Sequence, residues 1–275
     1  MADSDLHPWN ETFTWTPSVA RSGRLTGAQV EAFDRDGFLV LETCFSGSDL
    51  ASLVADLDDL EAKADDFLRR FDDDRVSIAE SGAIVFGIHP SMQYESARAF
   101  VGDPLFADLC LDLVGPDSRL YWDQLVYKKP EKPRRFPWHQ DNGYGFVEPQ
   151  QYLTCWVALT DATVDNGCPW IVPGLHRRGT LAHRYVEPLG FECLTEHPDA
   201  RPVPVPAGSV IVFSSLTPHL TGPNLTDTVR KAYIVQYAPD GAEVLRGEPA
   251  DGAPTHREGL DDTRQVWILR NGEYA

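Results

Sequence analysis

The sequence lacks several features that mark particular classes of protein. Its five cysteines are scattered and form no CxxC pair, which favours a reduced, cytoplasmic protein. Apolar runs such as residues 210–213 are far shorter than the roughly 18 residues that a membrane-spanning helix needs, so no membrane partner is expected. The first ten residues contain neither a basic nor an apolar stretch, so no signal peptide is expected.

Positive charge is also scarce. The 275 residues include 24 Lys and Arg against 42 Asp and Glu, which gives a formal net charge of −18. A general nucleic-acid-binding protein needs positive charge to displace counterions from phosphates, so no nucleic-acid partner is expected. The hydrophobic content of 42% is ordinary for a globular protein and too high for intrinsic disorder.

The spacing of apolar residues predicts helices in the first part of the chain. One helix is predicted to begin at Thr26, a second at Ser46 or Ser48, and a third covers residues 106–114. Between residues 56 and 74, nine carboxylates stand against three basic side chains. We interpret this stretch as a solvated helix face that runs into a loop rather than as a metal site.

A different pattern follows, from about residue 119 to 240. Short β-type runs are separated there by Gly, Pro, Asn and Asp, which is typical of sandwiches and barrels. The runs cover residues 120–127, 152–159, 170–172, 208–213 and 231–237. We predict a single domain over residues 1–275. It consists of an N-terminal helical layer at about 25–118, a β core at about 119–240 and a C-terminal extension at 241–275.

The densest group of chemistry-bearing residues is the segment FPWHQDN at residues 136–142. In an extended strand, residues two apart point to the same side, so His139 and Asp141 would lie next to each other. His219, which follows the run at 208–213, is the best candidate for a third ligand. Two histidines and one carboxylate on a β scaffold are the ligand set of non-haem Fe(II) oxygenases, which leaves coordination positions for a co-substrate and O2.

A second His-x-Asp pair, His197 and Asp199, also precedes His219. Pro198 between them predicts a turn rather than a strand, so this pair is the weaker candidate. His176, after a Pro-Gly-Leu turn, is interpreted as a supporting residue.

Arg230 lies eleven residues after His219, at the start of the last predicted core strand. A guanidinium there can bind a carboxylate through two parallel hydrogen bonds. Thr221 offers a hydroxyl to the same carboxylate.

In these motifs the chain resembles the phytanoyl-CoA dioxygenase branch of the Fe(II)/2-oxoglutarate-dependent oxygenases. Five ordered segments carry the resemblance: the helix-then-strand opening at 25–41, Tyr127-Lys128, Trp138-His139-Gln140-Asp141, the turn segment at 161–176, and His219 with Arg230. Three positions depart from the family pattern. Leu175 replaces a serine, and Leu220 and Thr221 replace the glycine and serine that usually follow the distal histidine. The presence of Asp141 argues against halogenation, for which related enzymes use a small residue at that position.

The resemblance implies a double-stranded β-helix, or jelly-roll, core. It implies His139, Asp141 and His219 as iron ligands, with the distal carboxylate of 2-oxoglutarate bound by Arg230 and Thr221. Trp156 and Gln140 match positions that line the co-substrate or substrate site. Lys128 lies on the strand that enters the site, in a basic run whose other members are Lys129, Lys132, Arg134 and Arg135. We interpret that run as a solvated loop. The alternative is that it attracts an anionic substrate to the site, and Lys128 itself is a candidate co-substrate-binding residue.

The expected reaction is oxidation, by hydroxylation in the first place, of an aliphatic C–H bond in a small-molecule metabolite. Fe(II), 2-oxoglutarate and O2 take part, and succinate and CO2 leave. Candidate substrate-binding residues flank the metal motif and are Trp138, Asn142, Tyr144 and Phe146. Two other classes stay open, a Zn(II) or Mn(II) hydrolase or isomerase and a non-catalytic binding module on the same fold. Monomer and homodimer also both stay open.

Overall fold

The computed structural model describes residues 5–21, 23–130, 136–249 and 252–275. Its α-helices are α1 (Gly27–Asp36), α2 (Gly47–Leu68), α3 (Glu95–Val101) and α4 (Pro104–Leu113). Its strands are β1 (Phe38–Leu41), β2 (Arg75–Val76), β3 (Ala79–Glu80), β4 (Ile84–Ile88), β5 (Ser118–Lys128), β6 (Val147–Glu148), β7 (Leu153–Ala158), β8 (Pro169–Ile171), β9 (Arg184–Val186), β10 (Gly190–Glu192), β11 (Arg201–Pro202), β12 (Val210–Ser214), β13 (His219–Thr221), β14 (Arg230–Pro239), β15 (Glu243–Arg246), β16 (His256–Gly259), β17 (Trp267–Arg270) and β18 (Glu273–Tyr274).

The core consists of one large antiparallel sheet and a smaller sheet. The large sheet has the order β1-β12-β7-β14-β5-β4-β3-β2, and the small sheet has the order β11-β8-β13. β7 and β14 are buried along nearly their whole length, as strands covered on both faces must be. This is the predicted jelly-roll class, mainly β with flanking helices, and it is confirmed.

The N-terminal helices are capped as the sequence predicts. Thr26 and Ser46 each accept a hydrogen bond from the backbone N–H three residues on, which completes a capping box. Helix α1 ends at Gly37, whose φ of 81° is a left-handed conformation that suits glycine. The layer is not purely helical, since β1 to β4 also lie in it and join the large sheet.

Helix α2 packs its leucine face against the core. Leu50, Leu53, Leu57 and Leu60 are buried, and each contributes about 2 kcal/mol of hydrophobic free energy. The helix is the longest of the described residues, and it lies against β4.

The acidic face of α2 is only partly solvated. The Asp58 carboxylate lies 2.7 Å from Lys231 Nζ, and Glu61 lies 2.8 Å from Lys129 Nζ. Asp65 is buried and accepts hydrogen bonds from Arg69 and from the backbone N–H of Gly82. The interpretation of this stretch as solvated is therefore wrong at Glu61 and Asp65, whose side chains are 13% and 5% exposed, whereas the Asp58 side chain is 44% exposed. All three carboxylates tie the helix to the sheet.

The C-terminal extension forms two further contacts with the core. β15 pairs with β6 and β16, while β17 pairs with the start of β5. Ile268 and Leu269 are buried in the main hydrophobic core. Within the described residues, no helix is both long enough and apolar enough to cross a membrane.

The Asp65→Asn substitution tests the contact between α2 and the sheet. Burial alone would raise the pKa of Asp65, but hydrogen bonds from Gly82 and Arg69 hold this pKa well below its usual range. We expect the free energy of unfolding at pH 7 to fall by about 2 kcal/mol, because hydrogen bonds to a charged group are lost. A pKa that is depressed by folding stabilises the protein fully above the unfolded-state value of about 4, and this contribution is lost as the pH falls through the folded-state value.

The parent and Asp65→Asn should therefore differ in urea denaturation at neutral pH and converge in acid. Asp66→Asn is the matched control, because Asp66 is the exposed neighbour on the same helix. A difference between parent and Asp65→Asn that persists unchanged as the pH falls would contradict this account.

Candidate metal centre

Two backbone hydrogen bonds join the segments that carry the predicted ligands. His139 N donates to His219 O at 3.0 Å, and His219 N donates to His139 O at 2.8 Å. The two residues are thus direct antiparallel partners, and their side chains emerge on the same face. Their ring centroids lie 4.2 Å apart. The pairing of β13 with β8 holds His219 from its other side.

Asp141 reaches the same point although it does not lie in a strand. Gln140 is extended, with φ −107° and ψ 145°, and a short 3-10 helix, Asp141–Gly143, begins directly after it. One extended residue is enough to bring the carboxylate beside the His139 imidazole. Thr154, on β7, donates its hydroxyl to Asp141 Oδ2 at 2.5 Å. The other oxygen, Oδ1, lies 3.9 Å from His219 Nε2.

Both imidazoles are oriented by backbone carbonyls. His139 Nδ1 lies 3.0 Å from Pro137 O, and His219 Nδ1 lies 3.0 Å from Thr217 O. Each Nδ1 therefore carries the proton and donates it, which leaves Nε2 as the free ligand atom. The three candidate ligand atoms of His139, Asp141 and His219 all lie within 4.8 Å of one another.

The electrostatics of the group fit a divalent cation. Burial lowers the pKa of His139 to about 3 and that of His219 to about 4, so both rings are neutral at pH 7 and can donate a lone pair. Burial also raises the pKa of Asp141 above its ordinary value. A cation between these groups offsets the penalty of the buried carboxylate, and a nitrogen and oxygen donor set without thiolate suits Fe(II).

A buried frame surrounds the segment between the two N-terminal ligands. Gln140 accepts from the Leu181 N–H at 2.7 Å and donates to Gly179 O and Leu216 O. His183 Nε2 accepts from the Gln140 N–H at 3.0 Å. All the hydrogen bonds of the Gln140 side chain that the structure shows are with backbone groups. Gln140 does not line the cavity described below, although the resemblance implies a position at the co-substrate or substrate site.

Asn10, in the segment before α1, also takes part in this frame. Asn10 donates to Thr180 O at 2.9 Å and accepts from Gln150 Nε2 at 3.2 Å. Thr180 donates to Gln150 and accepts from Asn142 Nδ2 at 2.7 Å. Asn142 Oδ1 in turn accepts from the Val147 N–H. Asn142 is therefore a buried scaffold residue beside the ligand Asp141, and it does not line a substrate space.

A cavity of about 540 Å³ opens next to His139 and Asp141. That volume is within the usual range of small-molecule sites. Its walls are largely aromatic and include Phe86, Tyr121, Trp122, Phe136, Tyr144 and Tyr152. Three charged side chains from the C-terminal extension complete it, Arg246, Glu258 and Arg264.

Of the candidate substrate-binding residues, only Tyr144 lines the cavity. Tyr144 lines the cavity, with its ring centroid 5.3 Å from that of His139. Trp138 packs with Val172 in a separate apolar cluster, and Phe146 packs on the ring of His7. Neither Trp138 nor Phe146 lines the cavity. Trp138 directly precedes His139 in extended chain, so its side chain points away from that of His139.

Arg230 is completely buried at the start of β14, opposite Lys128 of β5. Its Nη1 donates to Val126 O at 3.1 Å, and its guanidinium carbon lies 5.3 Å from the Trp156 ring centroid. A buried planar cation over an aromatic ring is a site for a carboxylate. Thr221 follows His219 by two residues on β13, so both point to the same face of that strand.

Lys128 is also buried, and its position differs from that of a loop residue. Its Nζ donates to Gly222 O at 2.6 Å and lies 5.0 Å from the Phe136 ring centroid. Lys129 pairs with Glu61, as described above. The interpretation of the basic run as solvated is wrong at Lys128, while the rest of the run, Lys132, Arg134 and Arg135, lies outside the described residues.

The remaining motif residues lie away from the cavity. Leu175 and Leu220 pack in the cluster that contains Trp138. His197 and Asp199 form a turn in which the nearest imidazole and carboxylate atoms are 3.9 Å apart. His176 is buried behind α1, where its Nε2 lies 3.2 Å from Asp34 O, as suits a supporting residue.

Sequence reasoning missed His183 and the charged C-terminal wall. His183 lies in a segment without a helical or strand pattern, and its role depends on one hydrogen bond from the Gln140 backbone N–H. Arg246 and Arg264 lie in polar stretches that resemble any surface segment. In the structure, Gly143 leaves room for His183, because a Cβ there would lie 2.1 Å from the His183 ring.

Comparison with known proteins places this site in a family. A family model for phytanoyl-CoA dioxygenase (PhyH) matches residues 33–232. The chain belongs to the phytanoyl-CoA dioxygenase family. This membership decides between the classes that the sequence left open, since a phytanoyl-CoA dioxygenase-type protein is an Fe(II)- and 2-oxoglutarate-dependent dioxygenase.

Individual members of the phytanoyl-CoA dioxygenase family resemble the chain over most of its length. The ectoine dioxygenase of Bordetella bronchiseptica is 26% identical over 236 residues, which cover 78% of this chain and 75% of the relative. The methylphosphonate hydroxylase of Gimesia maris is 26% identical over 226 residues, which cover 78% and 80%.

Solved structures share the fold. EvdO2 from Micromonospora carbonacea var. aurantiaca, complexed with 2-oxoglutarate, has a TM-score of 0.62 at 27% identity and covers 83% of this chain and 97% of its own. The epimerase SnoN, in complex with Fe3+, alpha-ketoglutarate and nogalamycin RO, has a TM-score of 0.68 at 22% identity, with 86% and 96% covered.

The Gly143→Ala substitution tests the frame around the ligands. The added Cβ would displace His183 and break its hydrogen bond to the Gln140 N–H. We expect Fe(II) affinity, measured by anaerobic titration, to fall by about tenfold to a hundredfold, the usual effect of losing a group that orients a metal ligand. Gly145→Ala is the matched control, because a Cβ there would lie 4.0 Å from its nearest neighbours. Unchanged affinity in Gly143→Ala would show that His183 does not orient the ligands.

Proposed function

We propose that this dioxygenase hydroxylates an aliphatic C–H bond of a small molecule at Fe(II) held by His139, Asp141 and His219. The observation that carries the proposal is the convergence of the three ligand atoms within 4.8 Å beside a cavity of about 540 Å³. Bound iron, together with 2-oxoglutarate and O2, supplies the oxidising chemistry, and succinate and CO2 are released.

The three residues would hold the metal from one side only. Asp141 would bind it through Oδ1, because Thr154 donates its hydroxyl to Oδ2. Gln236 lies behind this pair and donates to the Thr154 hydroxyl at 3.3 Å, which fixes the rotamer. The side of the group that faces the cavity stays available for co-substrate and O2.

Arg230 binds the distal carboxylate of 2-oxoglutarate in this proposal, with Thr221 as a second donor. Burial of the guanidinium strengthens its attraction for an anion, since no water competes with it. The Trp156 indole supports the planar group from one side. Lys128 adds a second buried positive charge near a dianionic co-substrate.

The aromatic walls orient the substrate and exclude water. Tyr121, Trp122 and Phe136 present apolar surface around the metal side of the cavity. Binding in such a space fixes one C–H bond near the metal and makes the reaction effectively unimolecular. The names of the relatives, an ectoine dioxygenase and a methylphosphonate hydroxylase, support a small-molecule substrate.

The His139→Ala substitution tests the ligand assignment. Removal of one imidazole leaves two ligands, so we expect Fe(II) binding and succinate formation from 2-oxoglutarate to fall to background. His197→Ala, from the other His-x-Asp pair, is the control and should behave as the parent. Equal conversion of 2-oxoglutarate by His139→Ala and the parent, with added Fe(II), would refute the assignment.

The Arg230→Gln substitution tests the co-substrate anchor. Loss of one member of a buried charged pair costs about 2–5 kcal/mol, so we expect the KM for 2-oxoglutarate to rise about a hundredfold. Arg201→Gln is the matched control, since Arg201 is exposed and lies over the Phe38 ring, 5.1 Å from its centroid. An unchanged KM for 2-oxoglutarate in Arg230→Gln would place the anchor elsewhere.

A further inference from the structure

The charged side chains of the cavity are concentrated in the C-terminal extension. Apart from the ligand Asp141, the charged residues among its described lining residues are Arg246, Glu258 and Arg264. The other lining residues are aromatic, aliphatic or uncharged polar side chains, so these three side chains and Asp141 determine which charged group a substrate can present there.

Arg246 and Glu258 satisfy each other. Arg246 Nε and Nη2 donate to the same Glu258 oxygen at 3.0 and 2.8 Å. The two residues lie on the paired strands β15 and β16, which fixes them side by side. Together they contribute no net charge to the cavity.

Arg264 is different. Among the described residues, none forms an ion pair with it, and its Nε is buried without a hydrogen-bond acceptor. The nearest carboxylates have other hydrogen-bond donors, since Asp261 accepts from Thr263, Asp262 pairs with Arg119 and Glu258 accepts from Arg246. Asp261 and Glu258 also interact electrostatically with Arg264, but neither forms an ion pair with it. A buried guanidinium N–H without an acceptor is unfavourable, and an anion in the cavity would supply the acceptor.

The turn that carries Arg264 is rigidly attached to the core. Gln265 N donates to Asp261 O at 2.7 Å, and the Gln265 side chain donates to Tyr121 O of β5 at 3.2 Å. Arg119 Nη1, also on β5, donates to Gln265 O at 3.3 Å. These contacts fix the backbone from which the Arg264 side chain extends, and this lowers the entropy that is lost when the side chain binds a ligand.

We infer that Arg264 anchors the prime substrate and that this substrate is a cyclic or aromatic molecule with one carboxylate. The carboxylate accepts from the Arg264 Nε, which lacks an acceptor, and the ring system packs against the aromatic residues Tyr121 and Trp122. The inference deepens the proposed function and rests on it, because it assigns the substrate class of the same cavity.

The test uses the full-length protein, loaded anaerobically with Fe(II) and 2-oxoglutarate. Cinnamate, indole-3-acetate and cyclohexanecarboxylate are each titrated by calorimetry beside the primary amide of the same acid. At least one acid should bind tenfold or more tightly than its amide. R264Q should lose this preference, and R264K should keep part of it.

R270Q is the matched control and should retain the preference of the parent. Arg270 is an exposed arginine of the same extension, lies over the Trp267 ring, and does not line the cavity. The inference is overturned if no acid binds more tightly than its amide, if R264Q keeps the preference, or if R264Q loses acid and amide binding equally.

The proposed function is tested by a separate measurement, succinate formation by the parent with Fe(II), O2 and 2-oxoglutarate in the absence of the probes. No succinate in this assay would contradict the proposed function. The calorimetric preference for an acid over its amide does not depend on that turnover, so the two results can be told apart.

Discussion

The candidate site depends on one pair of backbone hydrogen bonds, the reciprocal contact between His139 and His219. The two residues are 80 positions apart in sequence, so the contact exists only when the jelly roll closes. Once it forms, the Pro137 and Thr217 carbonyls fix both rings, and one extended residue carries Asp141 to the same point. The geometry of the metal centre is therefore a property of sheet pairing rather than of three flexible side chains.

Acidic side chains lie mainly on the surface of the molecule, whereas two basic side chains are buried inside it. The net charge of −18 lies largely on outer surfaces, including the exposed acidic positions of α2. Inside the barrel the cations Lys128 and Arg230 are completely or almost completely buried. In a region of low dielectric, two such charges attract an anion more strongly than they would at the surface. The overall charge of the chain and the charge of this buried pair thus have opposite signs.

Local order along the chain made the central residues predictable. The strand runs, the His-x-Asp spacing of 139 and 141, and the order of His219 and Arg230 are all short-range patterns. The structure brings the candidate ligand atoms of His139, Asp141 and His219 within 4.8 Å of one another. The roles of the residues next to His139 and Asp141 were harder to predict, because adjacent side chains in an extended chain point to opposite sides. Gln140 and Asn142 consequently face a buried frame, whose partners lie about forty residues away at Gly179, Thr180 and His183. The C-terminal wall has no apolar period at all, so only tertiary packing reveals it.

The attachment of the C-terminal extension has a consequence for how the chain can change. Apart from Asp141, the charged residues among the described cavity lining follow Gly241, whereas every candidate ligand and Arg230 precede it. The candidate metal ligands and the charged side chains of the cavity wall thus lie in separate, consecutive stretches of the sequence. Replacement of about thirty-five residues would alter which molecules are accepted while the pairing of His139 with His219 stays intact. A fold arranged in this way can change its substrate through the exchange of a terminal segment, while the sheets that hold the candidate metal ligands keep their pairing.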